Sequence, residues 1–205
     1  DAVESYEILK KAGFSNISVD LMFGLPNTKT EDVSEDVKKI LALKPKHISA
    51  YALSLEEGTP LFNQKKKFVF PDEDMQFDMY MNICNILNQK GYSHYEISNF
   101  AIDGYLSKHN SGYWSRRDYI GFGSGAHSLW ENKRFFSISN KDIFIEKIKN
   151  KEFLSALGFD RFDEISEEEK KEEEIMLSLR TSRGIFLDSL PYSFNKFIDN
   201  GFATY

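Results

Sequence analysis

The first half of the chain alternates between short strand-like and longer helix-like patterns of apolar residues. Residues 17–23 place apolar side chains at every second position, with Ser18, Asp20 and Met22 on the opposite face, which predicts a strand. A second strand is predicted at residues 47–53, and helices are predicted at residues 1–11, 28–44 and 71–91. Strands that alternate with helices are typical of a parallel sheet with helical crossovers.

The second half has a different pattern, in which short strand-forming runs are joined by polar, glycine-bearing loops. Strands are predicted at residues 94–100, 118–122 and 134–138, and helices at residues 141–157 and 166–180. Thr28 with Glu31, and Ser166 with Glu169, have the spacing of capping boxes at the starts of two predicted helices. The run after Gly184 resembles a small helical or winged-helix-like module.

The number of predicted strands bears on the fold class. Only two strands precede residue 91, whereas a complete eight-fold barrel takes about 250 residues. The chain also opens on a helix that feeds a strand, so we expect earlier units to precede it. The sequence therefore predicts an α/β fold, the later part of a barrel or of an open sheet. We expect the barrel part with a β extension in residues 1–157 and a helical module in residues 158–205.

Composition narrows the functional classes. The chain has 205 residues and a formal net charge of −6, which argues against nucleic acid as the main partner. Its single cysteine, Cys84, excludes an intramolecular disulfide and fits a reducing compartment. No apolar run approaches the length of a membrane span, and no cleavable signal pattern opens the chain. A cytoplasmic location is the simplest expectation.

Asp20 is the first candidate for a ligand-binding residue. If the apolar face of its strand packs against helices, its carboxylate points into the barrel near the end where barrel enzymes bind ligands. There it could accept hydrogen bonds from a ribose hydroxyl or an amine, and Ala50 and Ala52 on the next strand would leave space. A buried aspartate paired with a basic neighbour is an equal alternative.

The second candidate is His109, which opens the hexapeptide HNSGYW (residues 109–114) in a predicted polar loop. Imidazole is a common axial ligand of haem iron, and the flat rings of Tyr113 and Trp114 suit a porphyrin face. A lone loop histidine is more often a hydrogen-bonding surface residue, so only the whole hexapeptide makes the signal specific.

The glycine string GFGSG (residues 121–125) matches neither a P-loop nor a dinucleotide fingerprint. It predicts a close approach of the backbone either to a ligand or, with slight preference, to another strand. His127 just beyond it is either a second ligand or a buried polar group. Cys84 falls on the apolar side of its helix and is interpreted as a small core residue.

Several stretches resemble the oxygen-independent coproporphyrinogen III oxidase-like family of radical SAM proteins. They are VDLMFGLP (19–26), HISAY (47–51), EEGTP (56–60), YEISNFA (95–101), the hexapeptide and GFGSGAHS (121–128). The resemblance covers at least residues 12–190. The hexapeptide has the form HNxxYW, is the most specific of these motifs, and resembles the haem-chaperone branch rather than the oxidase.

The resemblance implies a partial (β/α)6 TIM-like barrel that binds a [4Fe–4S] cluster through a CxxxCxxC loop, with S-adenosylmethionine on the open iron. By position, Asp20 would match the family's aspartate that contacts S-adenosylmethionine, and Ala52 a small residue lining the same site. His109 would match the histidine proposed to bind haem iron, with Asn110, Tyr113 and Trp114 around the haem.

The chain departs from the family pattern in its cysteines. Cys84 lies outside any CxxxCxxC motif, and a [4Fe–4S] cluster needs several thiolates, so we expect no radical chemistry from these residues alone. The resemblance implies a chaperone that binds haem and passes it to acceptors such as respiratory enzymes, with peripheral membrane association of the whole protein. The alternative is the oxidase, which converts coproporphyrinogen III to protoporphyrinogen IX by oxidative decarboxylation.

Overall fold

The computed structural model describes residues 1–186, in which the chain divides into two compact units after Lys108. The boundary expected after residue 157 stays a prediction, and the part of the helical module from residue 187 onward lies outside the described residues. Among the described residues, no helix combines the length and the apolar character needed to cross a membrane.

The first unit contains the predicted alternation of helices and strands. Its elements are α1 (Ala2–Lys11), β1 (Ser18–Phe23), α2 (Thr30–Leu43), β2 (His47–Ala52), α3 (Pro60–Asn63), α4 (Glu73–Gln89), β3 (Ser93–Glu96) and β4 (Asn99–Ala101). The predicted capping box at Thr28 is wrong, because the helix begins one residue later. The Asp32 carboxylate accepts the backbone N–H of Lys29 at 2.8 Å, while the Thr28 hydroxyl donates to Leu25.

The four strands form one mixed sheet in the order β1-β2-β4-β3. β1 and β2 are parallel, as predicted, whereas β2–β4 and β4–β3 are antiparallel. The single strand predicted at residues 94–100 is wrong, because the chain reverses at Ile97 and Ser98 to form a hairpin of two strands. The described residues of the first unit therefore form a mixed sheet and not a purely parallel one.

The core of the first unit lies between this sheet and the helices α2 and α4. One face of the sheet supplies Leu21, Phe23, Ile48, Ala50 and Phe100, and the two helices supply Val33, Val37, Met79, Ile83 and Leu87. These side chains recur every second residue in the strands and every third or fourth in the helices, as burial of one face requires. The opposite face of the sheet is the polar one.

The second unit is built from α5 (Lys108–Trp114), β5 (His127–Trp130), β6 (Lys133–Phe136), α6 (Lys141–Lys149), α7 (Phe153–Leu157), β7 (Phe162–Glu164) and α8 (Glu167–Leu179). Its strands form an antiparallel sheet in the order β5-β6-β7. Helix α8 begins as predicted, with Ser166 and Glu169 in a reciprocal capping box.

Two predictions for the second unit are wrong. The strand predicted at residues 118–122 is reduced to an isolated bridge between Tyr119 and Leu129. The helix predicted at residues 141–157 is interrupted, because Lys151 takes a left-handed φ of 63° that a helix cannot continue through.

Candidate functional site

Asp20 lies on the polar face of the four-stranded sheet, as the alternation predicted. Leu21 and Phe23 point to the other face of the sheet and are buried in the core, whereas Asp20 is exposed. The described residues form no ion pair with Asp20, so the alternative of a buried aspartate paired with a base is wrong. The carboxylate is accessible for hydrogen bonds from a ligand.

The register of β1 and β2 changes the expected surroundings of this carboxylate. Asp20 pairs with Ser49, whereas Ala50 pairs with Leu21 and Ala52 with Phe23. Paired residues on neighbouring strands share a face, so Ala50 and Ala52 lie on the face opposite Asp20, where Ala50 is buried and Ala52 is exposed. The expectation that these alanines open space beside Asp20 is therefore wrong, and Ser49 is its neighbour.

A buried histidine on the same face was not identified from the sequence. His47 Nδ1 lies 2.7 Å from Ser18 Oγ, and Nε2 lies 2.8 Å from the hydroxyl of Tyr95, which also accepts the backbone N–H of Ser107 at 3.2 Å. Burial lowers the pKa of His47, and the nearby charge of Asp20 opposes this effect. The imidazole therefore favours its neutral form, in which one ring nitrogen donates and the other accepts.

Glu96 and Asn99 form a second buried polar group on this face. The Asn99 amide donates to Glu96 Oε1, which also accepts the backbone N–H of Ser98 at 3.2 Å. Both side chains are 2% exposed, and Glu96 Oε2 and Asn99 Oδ1 have no partner among the described residues. Their signal in the sequence is the motif YEISNFA, in which the charged Glu96 and the polar Asn99 lie within a predicted strand.

The hexapeptide that contains His109 is not a loop but the helix α5, so the predicted loop is wrong. The helix ends in a Schellman motif, in which Arg116 N–H donates to Tyr113 and Arg117 N–H donates to Gly112, both at 2.9 Å. Arg116 supplies the left-handed residue of this motif with a φ of 51°. A non-glycine residue is uncommon there, which explains why the sequence did not indicate a helix end.

The helix brings His109 and Tyr113 onto one face, since residues four apart are neighbours. Their ring centroids are 4.8 Å apart at an interplanar angle of 81°, and Tyr113 meets Tyr119 in the same edge-to-face manner at 4.7 Å. His109 is exposed, and neither ring nitrogen has a hydrogen-bond partner among the residues that the structure describes. Its imidazole is held by a ring contact while its nitrogens stay accessible to a metal.

The other residues of the hexapeptide are partly buried. Asn110, Tyr113 and Trp114 are all of intermediate exposure. The guanidinium carbon of Arg180 lies 4.5 Å from the centroid of the Trp114 ring, in a cation–π arrangement. Trp114 therefore faces a cation on one side, and its indole N–H is buried without an acceptor among the described residues.

A cavity of about 610 Å³ opens beside Trp114 and is called the Trp114 cavity below. Its lining includes Trp114, Arg116, Lys171, Glu174, Ile175 and Arg183. Arg116 is fixed beneath it, because its Nε donates to Glu173 at 2.7 Å and its Nη1 to Asn132 at 2.8 Å. Sequence reasoning missed this cavity, since its cations are spread over three separate segments.

The glycine string makes the predicted close approach to another strand. A Cβ added at Gly121 would lie 2.3 Å from the carbonyl oxygen of His127, so only glycine fits there. His127 itself is exposed and its ring lies 5.4 Å from that of Phe136, so the expectation of a buried polar group is wrong.

The described residues do not fit an iron–sulfur cluster. They contain no group of three or more histidine, cysteine or acidic residues that could hold a metal ion. Cys84 is half-buried beside Tyr80 in α4, and burial raises the pKa of its thiol, which disfavours the thiolate that iron requires. No step that depends on a cluster is therefore assigned to these residues.

The chain is similar in sequence to proteins named heme chaperone HemW. It is 35% identical over 193 residues to HemW of Lactococcus lactis, covering 93% of this chain and 49% of that protein. It is 34% identical over 208 residues to HemW of Bacillus subtilis, covering 100% of this chain and 53% of that protein. The chain spans about half the length of these curated relatives. No protein-family model matches it.

Two further comparisons extend the relationship. A mitochondrial protein of Danio rerio named radical S-adenosyl methionine domain-containing protein 1 is 30% identical over 194 residues, covering 90% of this chain and 43% of that protein. The solved structure of coproporphyrinogen III oxidase (HemN) from Escherichia coli, described as a radical SAM enzyme, superposes with a TM-score of 0.70 at 17% identity. This match covers 98% of this chain and 49% of that one. The α/β fold of this chain is thus similar to that of about half of the HemN structure.

Proposed function

Because this chain is a homologue of the HemW heme chaperones over about half of their length, we propose that it carries the haem-binding part of such a chaperone. The observation that carries the proposal is the exposed imidazole of His109, which has a ring neighbour at 4.8 Å and no hydrogen bond to its nitrogens among the described residues. A neutral imidazole nitrogen is a common axial ligand of haem iron.

In this proposal the haem is cargo, and the hexapeptide supplies both its ligand and its packing surface. His109 binds the iron, while the edge-to-face contact with Tyr113 restricts rotation of the imidazole. Asn110, Tyr113 and Trp114 line the approach to the macrocycle. An exposed ligand suits a carrier, because a chaperone has to release the haem to its acceptor.

A haem titration tests the assignment of the ligand. Binding of haem through His109 should produce a shifted and sharpened Soret band, and His109→Ala should abolish that shift and weaken binding at least about tenfold. His127→Ala is the matched control, since His127 is another exposed histidine of the same unit with a neighbouring aromatic ring. If His109→Ala keeps the wild-type Soret band, or if His127→Ala loses it, His109 is not the ligand.

We further propose that haem passes from this site to acceptor proteins such as respiratory enzymes, in the cytoplasm and with peripheral membrane association of the whole protein. Two observations support this proposal: the relatives are named heme chaperones, and the imidazole of His109 is exposed. Mixing the haem-loaded protein with an apo-acceptor should move the Soret maximum to that of the acceptor. Haem that stays on the chain in the presence of excess acceptor would refute transfer.

The cofactor proposals concern a protein with the full length of these relatives. There, Asp20 would contact S-adenosylmethionine, and a [4Fe–4S] cluster would be held by residues outside this chain. Ala52, expected at the same site, pairs with Phe23 on the face opposite Asp20 and is not assigned to this site. Support comes from the exposed carboxylate of Asp20 on the polar face of the sheet. In such a protein, Asp20→Asn should weaken S-adenosylmethionine binding, measured calorimetrically, and unchanged binding would remove Asp20 from the site. The oxidase alternative rests on a likeness at 17% identity, which concerns the fold alone.

A further inference from the structure

Three buried N–H donors around Trp114 have no acceptor among the residues that the structure describes. They are Trp114 Nε1, Arg116 Nη2 and Arg180 Nε. A buried donor without a partner costs on the order of 1–3 kcal/mol, more when it is charged, so native proteins rarely keep several together. Their grouping indicates that an acceptor from outside these residues completes them.

Arg116 is the central member of this group. Its side chain is 9% exposed, and two of its nitrogens are already occupied by Glu173 and Asn132. The remaining nitrogen, Nη2, is unpartnered in a residue that lines the Trp114 cavity. The ion pair with Glu173 and the Schellman turn at Arg116 hold this guanidinium in place before any ligand binds.

The chemistry of the donors restricts the ligand. Indole and guanidinium groups donate hydrogen bonds and cannot accept them, so the ligand has to present acceptor oxygens. Among the described residues that line the cavity, Arg116, Lys171 and Arg183 are cations and Glu174 is an acid. Glu173 already pairs with Arg116, so Lys171 and Arg183 supply the positive charge that favours an anion. At about 610 Å³ the cavity exceeds the size of a small ion, so it also admits the organic body that carries one.

We propose that the Trp114 cavity is an oxyanion site that binds a carboxylate or a phosphate. Arg116 Nη2 and Trp114 Nε1 donate to the oxygens, and Lys171 and Arg183 neutralise the charge at the rim. A haem propionate is a carboxylate of this kind, and Trp114 belongs to the same hexapeptide as His109. The oxyanion site does not require His109 to bind the haem iron, so the two proposals can be tested independently.

Indole N–H resonances provide the readout, because the chain has two tryptophans and both lie in the second unit. In the 15N-labelled protein, inorganic phosphate or acetate should move the Trp114 Nε1–H signal downfield in a saturable manner. The signal of Trp130, which lies on β5 and is 46% exposed, should stay constant. Metal-free protoporphyrin IX and its dimethyl ester then separate the sources, since only the diacid carries carboxylates and neither can ligate His109 through iron.

Variants at the exposed rim test the assignment without disturbing the core. The double variant Lys171→Gln/Arg183→Gln should weaken anion binding by at least about tenfold, or about 1.4 kcal/mol. The control Lys170→Gln/Arg161→Gln removes the same charge from residues outside the cavity lining and should leave affinity unchanged.

Each outcome decides the proposal. A Trp114 shift with phosphate or acetate supports a site for free oxyanions, and a shift with protoporphyrin IX but not its ester supports a propionate site. No Trp114 shift with any of these probes overturns the oxyanion site, as does equal affinity in the rim and control variants. His109→Ala should leave the Trp114 response intact, so failure of the haem proposal would be seen separately.

Discussion

The bridge between Arg116, Glu173 and Arg134 gives the sharpest test of what holds the second unit together. Glu173 on α8 accepts from Arg116 Nε at 2.7 Å through one oxygen and from Arg134 on β6 through the other. Its side chain is 17% exposed and that of Arg116 is 9% exposed. Replacing Glu173 by glutamine keeps the shape but removes the negative charge, which leaves the Arg116 cation buried without a counter-ion.

The size of the effect follows from burial. Removing one partner of a buried ion pair costs about 3–5 kcal/mol, because the other charge stays desolvated. Arg134 is 42% exposed and can be rehydrated, and the glutamine amide retains an acceptor for Arg116. We therefore expect Glu173→Gln to lower the free energy of unfolding by about 3 kcal/mol, near the lower end of that range. An exposed ion pair would contribute less than about 1 kcal/mol.

Urea denaturation followed by tryptophan fluorescence measures this difference, since both tryptophans belong to the second unit. Glu172→Gln is the matched control, because Glu172 is exposed on the same helix and loses the same charge. If the two variants differ by less than about 0.5 kcal/mol, which is the usual range for surface substitutions, the reasoning is wrong.

The same bridge predicts a pH dependence. Burial by itself raises the pKa of Glu173, but the hydrogen bonds and charges of Arg134 and Arg116 outweigh it and lower the pKa below the ordinary value of 4.5. A carboxyl whose pKa is lower in the folded state stabilises the fold fully above its unfolded pKa. That contribution is lost as the pH falls through the folded pKa. Glu173→Gln should remove this part of the acid sensitivity, and an unchanged acid profile would contradict the assignment.

Two further predictions concern backbone fit and a buried histidine. Gly121→Ala should destabilise the second unit by about 1–3 kcal/mol through overpacking against the carbonyl of His127, by the same fluorescence assay. Its control is Gly112→Ala in α5, where the added carbon would make an ordinary contact with the Arg117 side chain at 3.9 Å. This change should stabilise by up to about 1 kcal/mol, and equal effects of the two variants would refute the steric argument. Because burial lowers the pKa of His47 below its ordinary 6.5, the first unit should lose stability as the pH falls below that value. Amide hydrogen exchange of β1 and β2 should show this loss in the wild type and not in His47→Gln, and an identical loss in both would exclude His47 as its cause.

The fold of the first unit was largely predictable because its signal is local. The alternation of apolar and polar residues in β1 and the apolar stripes of α2 and α4 each predict one buried face of the element. The hairpin at Ile97 and Ser98 was missed because these residues carry neither the glycine nor the asparagine that usually marks a tight reversal. Its two strands therefore looked like one.

The site was predictable only in part, for a related reason. Asp20 and His109 stand out in the sequence because each is a single chemically distinctive residue in a recognisable motif. Which other residues lie beside Asp20 and His109 depends on the strand register and on the helix geometry. A short sequence motif does not determine either of these. The motif therefore predicts Ala52 beside Asp20, whereas the register of β1 and β2 pairs Ala52 with Phe23. The sequence predicts a loop for the hexapeptide because its helix ends at an arginine instead of a glycine.

The Trp114 cavity shows what kind of site sequence reading misses altogether. Arg116 follows α5, Lys171 lies within α8 and Arg183 follows α8, so no short motif contains these cations. What brings Arg116 to the cavity is the left-handed turn after α5 together with the ion pair to Glu173. Glu173 is also the counter-ion of Arg116, so Glu173→Gln should strengthen anion binding at Trp114 while it lowers stability. A variant that loses stability but binds phosphate with wild-type affinity would separate the two roles and assign the bridge to folding alone.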